Sequence, residues 1–195
     1  PKNTCLNIKA SLVQAGLFSD SSSDEAGNTW RISPEPYFLS KEETTFFHEL
    51  GPKLLEFYSV LNRFYLDSAK GNFHPWFAEY LDAGKPQELI EFGRMKKMRQ
   101  SLPGIIRPDV IPTENGFVVT ELDSIPGGFG LTSSLMSLYE DLSWEMTGAG
   151  IPSLFHQMLE SVSKEPTPNV AIVVSDEAQD YLKEMQYLGS LLEEK

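Results

Sequence analysis

Arg107 and Asp109 lie two positions apart, and so do Glu121 and Asp123. Residues two apart on a β-strand share a face. Between the pairs stands Asn115-Gly116, a dipeptide that favours a hairpin. A hairpin closed there sets the two pairs against each other across its strands. Three carboxylates and one guanidinium on one surface repel unless a cation joins them. Mg²⁺ meets that need, because it takes oxygen ligands, usually one or two carboxylates with water and phosphate. A planar arginine adds a donor pair for a phosphate oxygen. A hairpin whose charges simply face water is the competing account, and spacing alone leaves both open.

A glycine-rich turn follows the second pair. Pro126-Gly127-Gly128-Phe129-Gly130 precedes a helical pattern that opens with Leu131, Thr132, Ser133 and Ser134. Glycines such as Gly127 and Gly128 let backbone N–H groups approach an anion, and a helix N-terminus favours negative charge. They serve equally well in a plain tight turn. Other candidates are weaker. His48, His74 and His156 share no metal-ligand spacing. Cys5 is the only cysteine, so an intrachain disulfide and a thiolate metal cluster are both excluded. Neither G-x-S-x-G nor the P-loop pattern occurs, which leaves serine-hydrolase and P-loop chemistry without support.

The order Arg107-x-Asp109, then Glu121-x-Asp123, resembles the R-x-D…E-x-N motif of circularly permuted ATP-grasp proteins related to glutathionylspermidine synthase. By that resemblance, Asp109 and Glu121 match metal ligands and Arg107 matches the catalytic phosphate contact. Asp123 stands where the family has Asn, which keeps an oxygen ligand and adds a negative charge. A second match is the run Asn169 to Leu188, similar to the family's strand, acidic pair and helix, here with Asp176-Glu177 and Tyr181-Leu182. The resemblance spans about Ile105 to Lys195, and the lysines that grip the nucleotide in the family have no counterpart here. It implies a cytoplasmic ATP-dependent carboxylate–amine ligase, or part of one. Its cofactors would be Mg²⁺ and ATP. A small carboxylate or peptide would be activated as an acyl phosphate and captured by an amine. A non-catalytic module that keeps the ATP-grasp shape and binds a nucleotide, peptide or partner subunit is the alternative. A phospho-acceptor domain starting near Val170 is a third idea, since two acids follow that run.

The elements that must hold these residues can be read along the chain. Residues 6 to 17 form a helical pattern, and the small, acidic Ser19 to Asn28 reads as a mobile loop or linker. Trp30 to Leu39 holds Pro34 and Pro36 and reads as extended. Ser40 with Glu43 is a capping-box signature that opens a long helical stripe running from Phe47 to Tyr65. Gly51-Pro52 interrupts that stripe and predicts a kink or two helices. Two short helical patterns follow, Pro75 to Leu81 and Pro86 to Met98. The second contains Arg94 and leads into the basic run Met95 to Arg99, either a solvated face or an anion anchor. Gly104 to Arg107 and Gly116 to Leu122 are β-rich. Helical patterns cover Leu131 to about Glu145, Pro152 to Val162 and Gln179 to Leu192. Asn169 to Ser175 is nearly all apolar, as a strand buried on both faces would be.

These elements predict an α/β fold in three parts. Residues 1–103 form a helix-rich N-terminal half. Residues 104–165 form a small β region with helices carrying the carboxylates. Residues 166–195 begin a parallel α/β domain, which the resemblance implies is pre-ATP-grasp-like. A lone β-α unit needs sheet neighbours, and the chain opens at Pro1 without a methionine. Both features fit a piece of a longer protein.

Bulk composition bounds the partners. The 195 residues suffice for a sizeable core, and 41% hydrophobic with 23% charged residues is ordinary for a globular chain. The net charge of −12 argues against nucleic acid and anionic membrane surfaces. It does not disfavour ATP, which carboxylates reach through Mg²⁺. No apolar run approaches the roughly 18 residues of a membrane span.

Overall fold

A computed structural model describes residues 1–18, 31–148 and 150–193. The acidic stretch Ser19 to Asn28 lies outside them. The described residues form seven α-helices and one two-stranded antiparallel sheet, a mixed α and β architecture with no parallel pairing among them. None of these helices is long and apolar enough to cross a membrane. Contacts group the chain into two units, residues 39–125 and residues 1–38 with 126–195. The sequence-based boundaries at 103 and 165 fall inside these units.

The first helix in chain order is α1, Lys2–Gln14, and the 39–125 unit is built on the second, α2, Lys41–Ala69. Ser40 caps α2: its hydroxyl accepts the Glu43 N–H at 3.2 Å, and the Glu43 carboxylate accepts the Ser40 N–H at 2.7 Å. Of the two outcomes expected at Gly51-Pro52, separate helices do not form, and α2 runs on as one helix through Pro52. Crowding before a proline comes partly from the preceding Cβ, and Gly51 has none. Packing on both sides of the proline offsets the lost hydrogen bond. On the N-terminal side, the rings of Phe46 and Phe47 pack 5.3 and 4.9 Å from Phe117. On the C-terminal side, Phe64 stacks on Phe73 at 5.1 Å and meets Phe77 edge-on.

Two short helices close this end of α2: α3, Pro75–Asp82, and α4, Gln87–Arg94. Ser68, buried on α2, donates to the His74 carbonyl and accepts the Ala78 N–H. Tyr65 donates to Asp82 at 2.7 Å and accepts from Arg94 Nε at 3.1 Å, while Arg94 also pairs with Asp82. One residue from each of the three helices is thereby tied into one network. Arg94 is spent on this staple. The neighbouring Lys97 lies over the Phe92 ring.

The other unit contains α1, α5 (Phe129–Asp141), α6 (Ile151–Ser163) and α7 (Leu182–Glu193), the last preceded by a 3₁₀ turn at Asp176–Tyr181. Its core joins Ile8 and Leu12 of α1 to Leu131 and Tyr139 of α5, with Leu135 and Trp144 packed against them. Leu12 and Leu188 are fully buried. Removing such a leucine side chain costs about 2–5 kcal/mol. Tyr139 reaches past this core and donates to the Ser33 carbonyl at 2.9 Å.

The predicted strand Asn169 to Ser175 forms no strand here. A ladder requires a partner, and β1 and β2 of the single sheet, Arg107–Thr113 and Gly116–Asp123, pair only with each other. A parallel α/β domain is therefore not formed by the described residues.

Candidate functional site

The hairpin begins with its turn. Thr113 opposes Gly116, which leaves Glu114 and Asn115 as the loop. Neither loop residue has positive φ, whereas Gly116 has φ +107°. A turn of this kind puts the demand for glycine one residue after the loop. Thr113 reinforces it, donating through Oγ1 to the Gly116 carbonyl at 2.9 Å and accepting the Asn115 N–H. Pro108 and Pro112 sit in β1 without penalty, because a two-stranded ribbon has only edges.

Near the turn the register pairs Val110 with Val119. A regular ladder extended from there would set Asp109 opposite Thr120 and Arg107 opposite Leu122. It does not. The register slips between Asp109 and Val110, a bulge at Thr120-Glu121, so that Asp109 opposes Glu121 and Arg107 opposes Asp123. Thr120 marks the bulge by donating through Oγ1 to the Asp109 carbonyl at 3.2 Å.

Directly opposed residues share a face. One face therefore carries Pro108, Val110, Pro112, Phe117, Val119 and Leu122. Phe117 of this set packs on α2. The opposite face carries Arg107, Asp109, Glu121 and Asp123. The bulge makes this sorting possible, because it turns Leu122 to the apolar side and Glu121 away from it.

The four charged residues are not equivalent. Arg107 Nη1 donates to Asp123 Oδ2 at 2.9 Å and to the Ile125 carbonyl at 3.2 Å. Asp123 Oδ1 accepts the Ile125 N–H at 2.7 Å. Both Asp123 oxygens are thus occupied by the chain's own donors. Each side chain of this ion pair is about one-third exposed, 32% and 31%. A pair so open to water contributes little to stability on its own, about 0–1 kcal/mol. Asp109 and Glu121 are exposed, and among the described residues neither carboxylate has a hydrogen bond or ion pair. No group of three or more His, Cys, Asp or Glu side chains is gathered at metal-holding distance among the described residues. The free carboxylates on the face are therefore two, and a third is engaged by arginine.

The glycine turn belongs to the other unit. Gly128, at φ +81°, precedes α5, and its carbonyl accepts the Thr132 N–H. Gly127 is buried. The α5 N-terminus already meets an anion of the chain itself: the Glu184 carboxylate of α7 accepts the Leu131 N–H at 3.2 Å. Gly130 permits this contact. A Cβ at Gly130 would lie 2.5 Å from the Glu184 carbonyl oxygen and 2.9 Å from its Cα. Glu184 carries no local sequence signal for this role, since its partner is 53 positions away. Elsewhere, His156 Nδ1 lies 3.6 Å from Glu160 one helical turn on.

No protein-family model, no curated protein and no solved structure matches the chain.

Proposed function

We propose that the Arg107–Asp123 hairpin is the Mg-nucleotide element of an ATP-dependent carboxylate–amine ligase. The observation that carries this reading is the bulge-shifted register. It sets the two free carboxylates, Asp109 and Glu121, directly opposite one another beside an arginine. Two carboxylates with room for water and phosphate are what Mg²⁺ accepts, so Asp109 and Glu121 fit that ion. Asp123 fits less well as a ligand, because Arg107 and the Ile125 N–H hold both its oxygens. When bound, Mg²⁺ would neutralise phosphate charge as it develops. Within the chain's own residues, Arg107 supplies the phosphate contact by exchanging one partner for another. The guanidinium leaves Asp123 and turns a donor pair to a phosphoryl oxygen. The substrates would be a small carboxylate or peptide and an amine.

Calorimetry tests it. ATP is titrated into the protein with and without Mg²⁺, for wild type and Glu121→Gln. Glu121→Gln keeps shape and removes one charge, so Mg²⁺-dependent binding weakens by about 1–3 kcal/mol. Superimposable isotherms for the two proteins sink the assignment.

A second reading is a non-catalytic binding module. Two observations favour it: Arg107 is closed on Asp123, and the α5 N-terminus is taken by Glu184. Mg-ATP binding without phosphate release in the presence of carboxylates and amines would select this reading over the ligase.

A further inference from the structure

Asn169–Ser175 lies between α6 and the 3₁₀ turn that precedes α7. Five of its seven residues are Val, Ala or Ile. Such a composition favours strands. Yet among the described residues no backbone group from Asn169 to Val174 takes part in a hydrogen bond. Its side chains alternate. Val170, Ile172 and Val174 line a cavity of about 690 Å³ with Leu182 and Met185 of α7. Val173 points the other way and is 89% exposed. That alternation has the period of an extended chain. One face rests over helices, and a row of unpaired N–H and C=O groups is left along its edges. An unpaired apolar edge is a template for another strand.

We propose that Asn169–Ser175 is a strand-acceptor site, binding an extended apolar segment of a basic partner protein by β-augmentation. The backbone decides that the occupant is a strand. Only an extended peptide offers acceptors and donors in step with those of the run, and an apolar small molecule leaves them unsatisfied. Charge decides the kind of strand. The run leads straight into Asp176, Glu177 and Asp180, all exposed. Glu177 is held in its charged form, its carboxyl lowered first by its own backbone N–H and then by the Ser175 hydroxyl. A second copy of the chain brings the same net charge of −12. Parallel self-pairing would also lay Asp176 on Asp176, which is destabilising. A partner strand ending in lysine or arginine beside these acids gains both attraction and faster encounter. The site uses none of the hairpin residues, so its fate is separate from that of the nucleotide titration.

The probe is a ten-residue synthetic peptide of alternating valine and threonine ending in two lysines. Controls end in two glutamates or carry N-methyl groups on alternate backbone amides. Binding is read by anisotropy and by amide hydrogen exchange at residues 170–174. The lysine peptide slows exchange saturably, by at least about ten-fold. The glutamate peptide binds about five- to ten-fold more weakly, and Asp176→Asn with Glu177→Gln removes that difference. Val173→Pro deletes one backbone donor at an exposed side chain and abolishes protection, with helical circular dichroism unchanged. Three results overturn the proposal. One is no slowing with any peptide, and another is equal slowing by the N-methylated one. The third is slow exchange without peptide. If that slowing depends on protein concentration, a second copy covers the run. If it does not, the polypeptide covers it itself.

Discussion

Gly130→Ala sets two opposed effects against each other at the contact between α5 and α7. Alanine is the better helix former, by at most about 1 kcal/mol, and less in a first turn. The new methyl, however, would stand 2.5 Å from the Glu184 carbonyl oxygen and 2.9 Å from its Cα. Both are backbone atoms of α7, so no rotamer change relieves the overlap. Either α5 and α7 separate or the Leu131–Glu184 hydrogen bond stretches. Overpacking of this kind costs about 1–3 kcal/mol. With rigid backbone as the obstacle the upper part of that range applies, and the net loss is about 1–2 kcal/mol. For a cooperative unit of about 100 residues that lowers Tm by roughly 4–10 °C. The control is Gly189→Ala on α7, where an added Cβ meets nothing within 4 Å. It keeps the propensity gain alone and stabilises by about 0.5–1 kcal/mol. Thermal melts followed by circular dichroism read both. A Gly130→Ala protein as stable as wild type, alongside a stabilised Gly189→Ala, refutes the close approach of the two helices.

Three further outcomes are expected. Ser40→Ala loses the α2 cap and about 1 kcal/mol in urea denaturation, while Ser40→Asp retains most of it. Glu184→Ala leaves the Leu131 N–H without its acceptor and costs about 1 kcal/mol, a loss absent from Glu79→Ala, whose side chain is exposed in the middle of α3. Burial, the largest cause in each case, raises the phenols of Tyr65 and Tyr139 above the ordinary value of 10.0. A raised phenol value means that the fold favours the protonated form. The stability this supplies is present below the ordinary phenol value and is lost as pH rises through the folded one. In an alkaline absorbance titration two of the seven tyrosines should ionise last. Tyr65→Phe and Tyr139→Phe should each remove one late step, and an unaltered titration in either variant contradicts the assignment.

Much of the local structure was legible along the chain because its causes are local. The Ser40–Glu43 cap, the helical stripe beyond it, the hairpin around Asn115-Gly116 and the helix after Gly128 each depend on residues within a few positions. Steric rules and hydrogen-bond reach act at that range. The two-residue spacing of Arg107 with Asp109 and of Glu121 with Asp123 likewise assigns each pair to one side of its own strand. Spacing does not decide which residue faces which across the hairpin. The bulge at Thr120-Glu121 does, by moving Asp123 opposite Arg107 and Glu121 opposite Asp109. Pairing then spends Asp123 on Arg107 and leaves two carboxylates free, a division that no spacing encodes.

Tertiary structure also decided three matters that ran against local rules or had no local rule. Gly51-Pro52 predicts a kink or two helices, and with aromatic packing on both sides of it α2 continues as one helix. The run Asn169–Ser175 has strand composition, but a strand exists only where a second one satisfies its backbone, and none of the described residues does so. Glu184 and Gly130 lie far apart in the chain and look unremarkable in it. Their pairing arises because α5 and α7 approach so closely that only glycine fits, which brings a carboxylate to a helix N-terminus. Local propensity is a sum over neighbours in sequence. Register, burial and ion pairing are settled by neighbours in space, and the chain does not state those until it has folded.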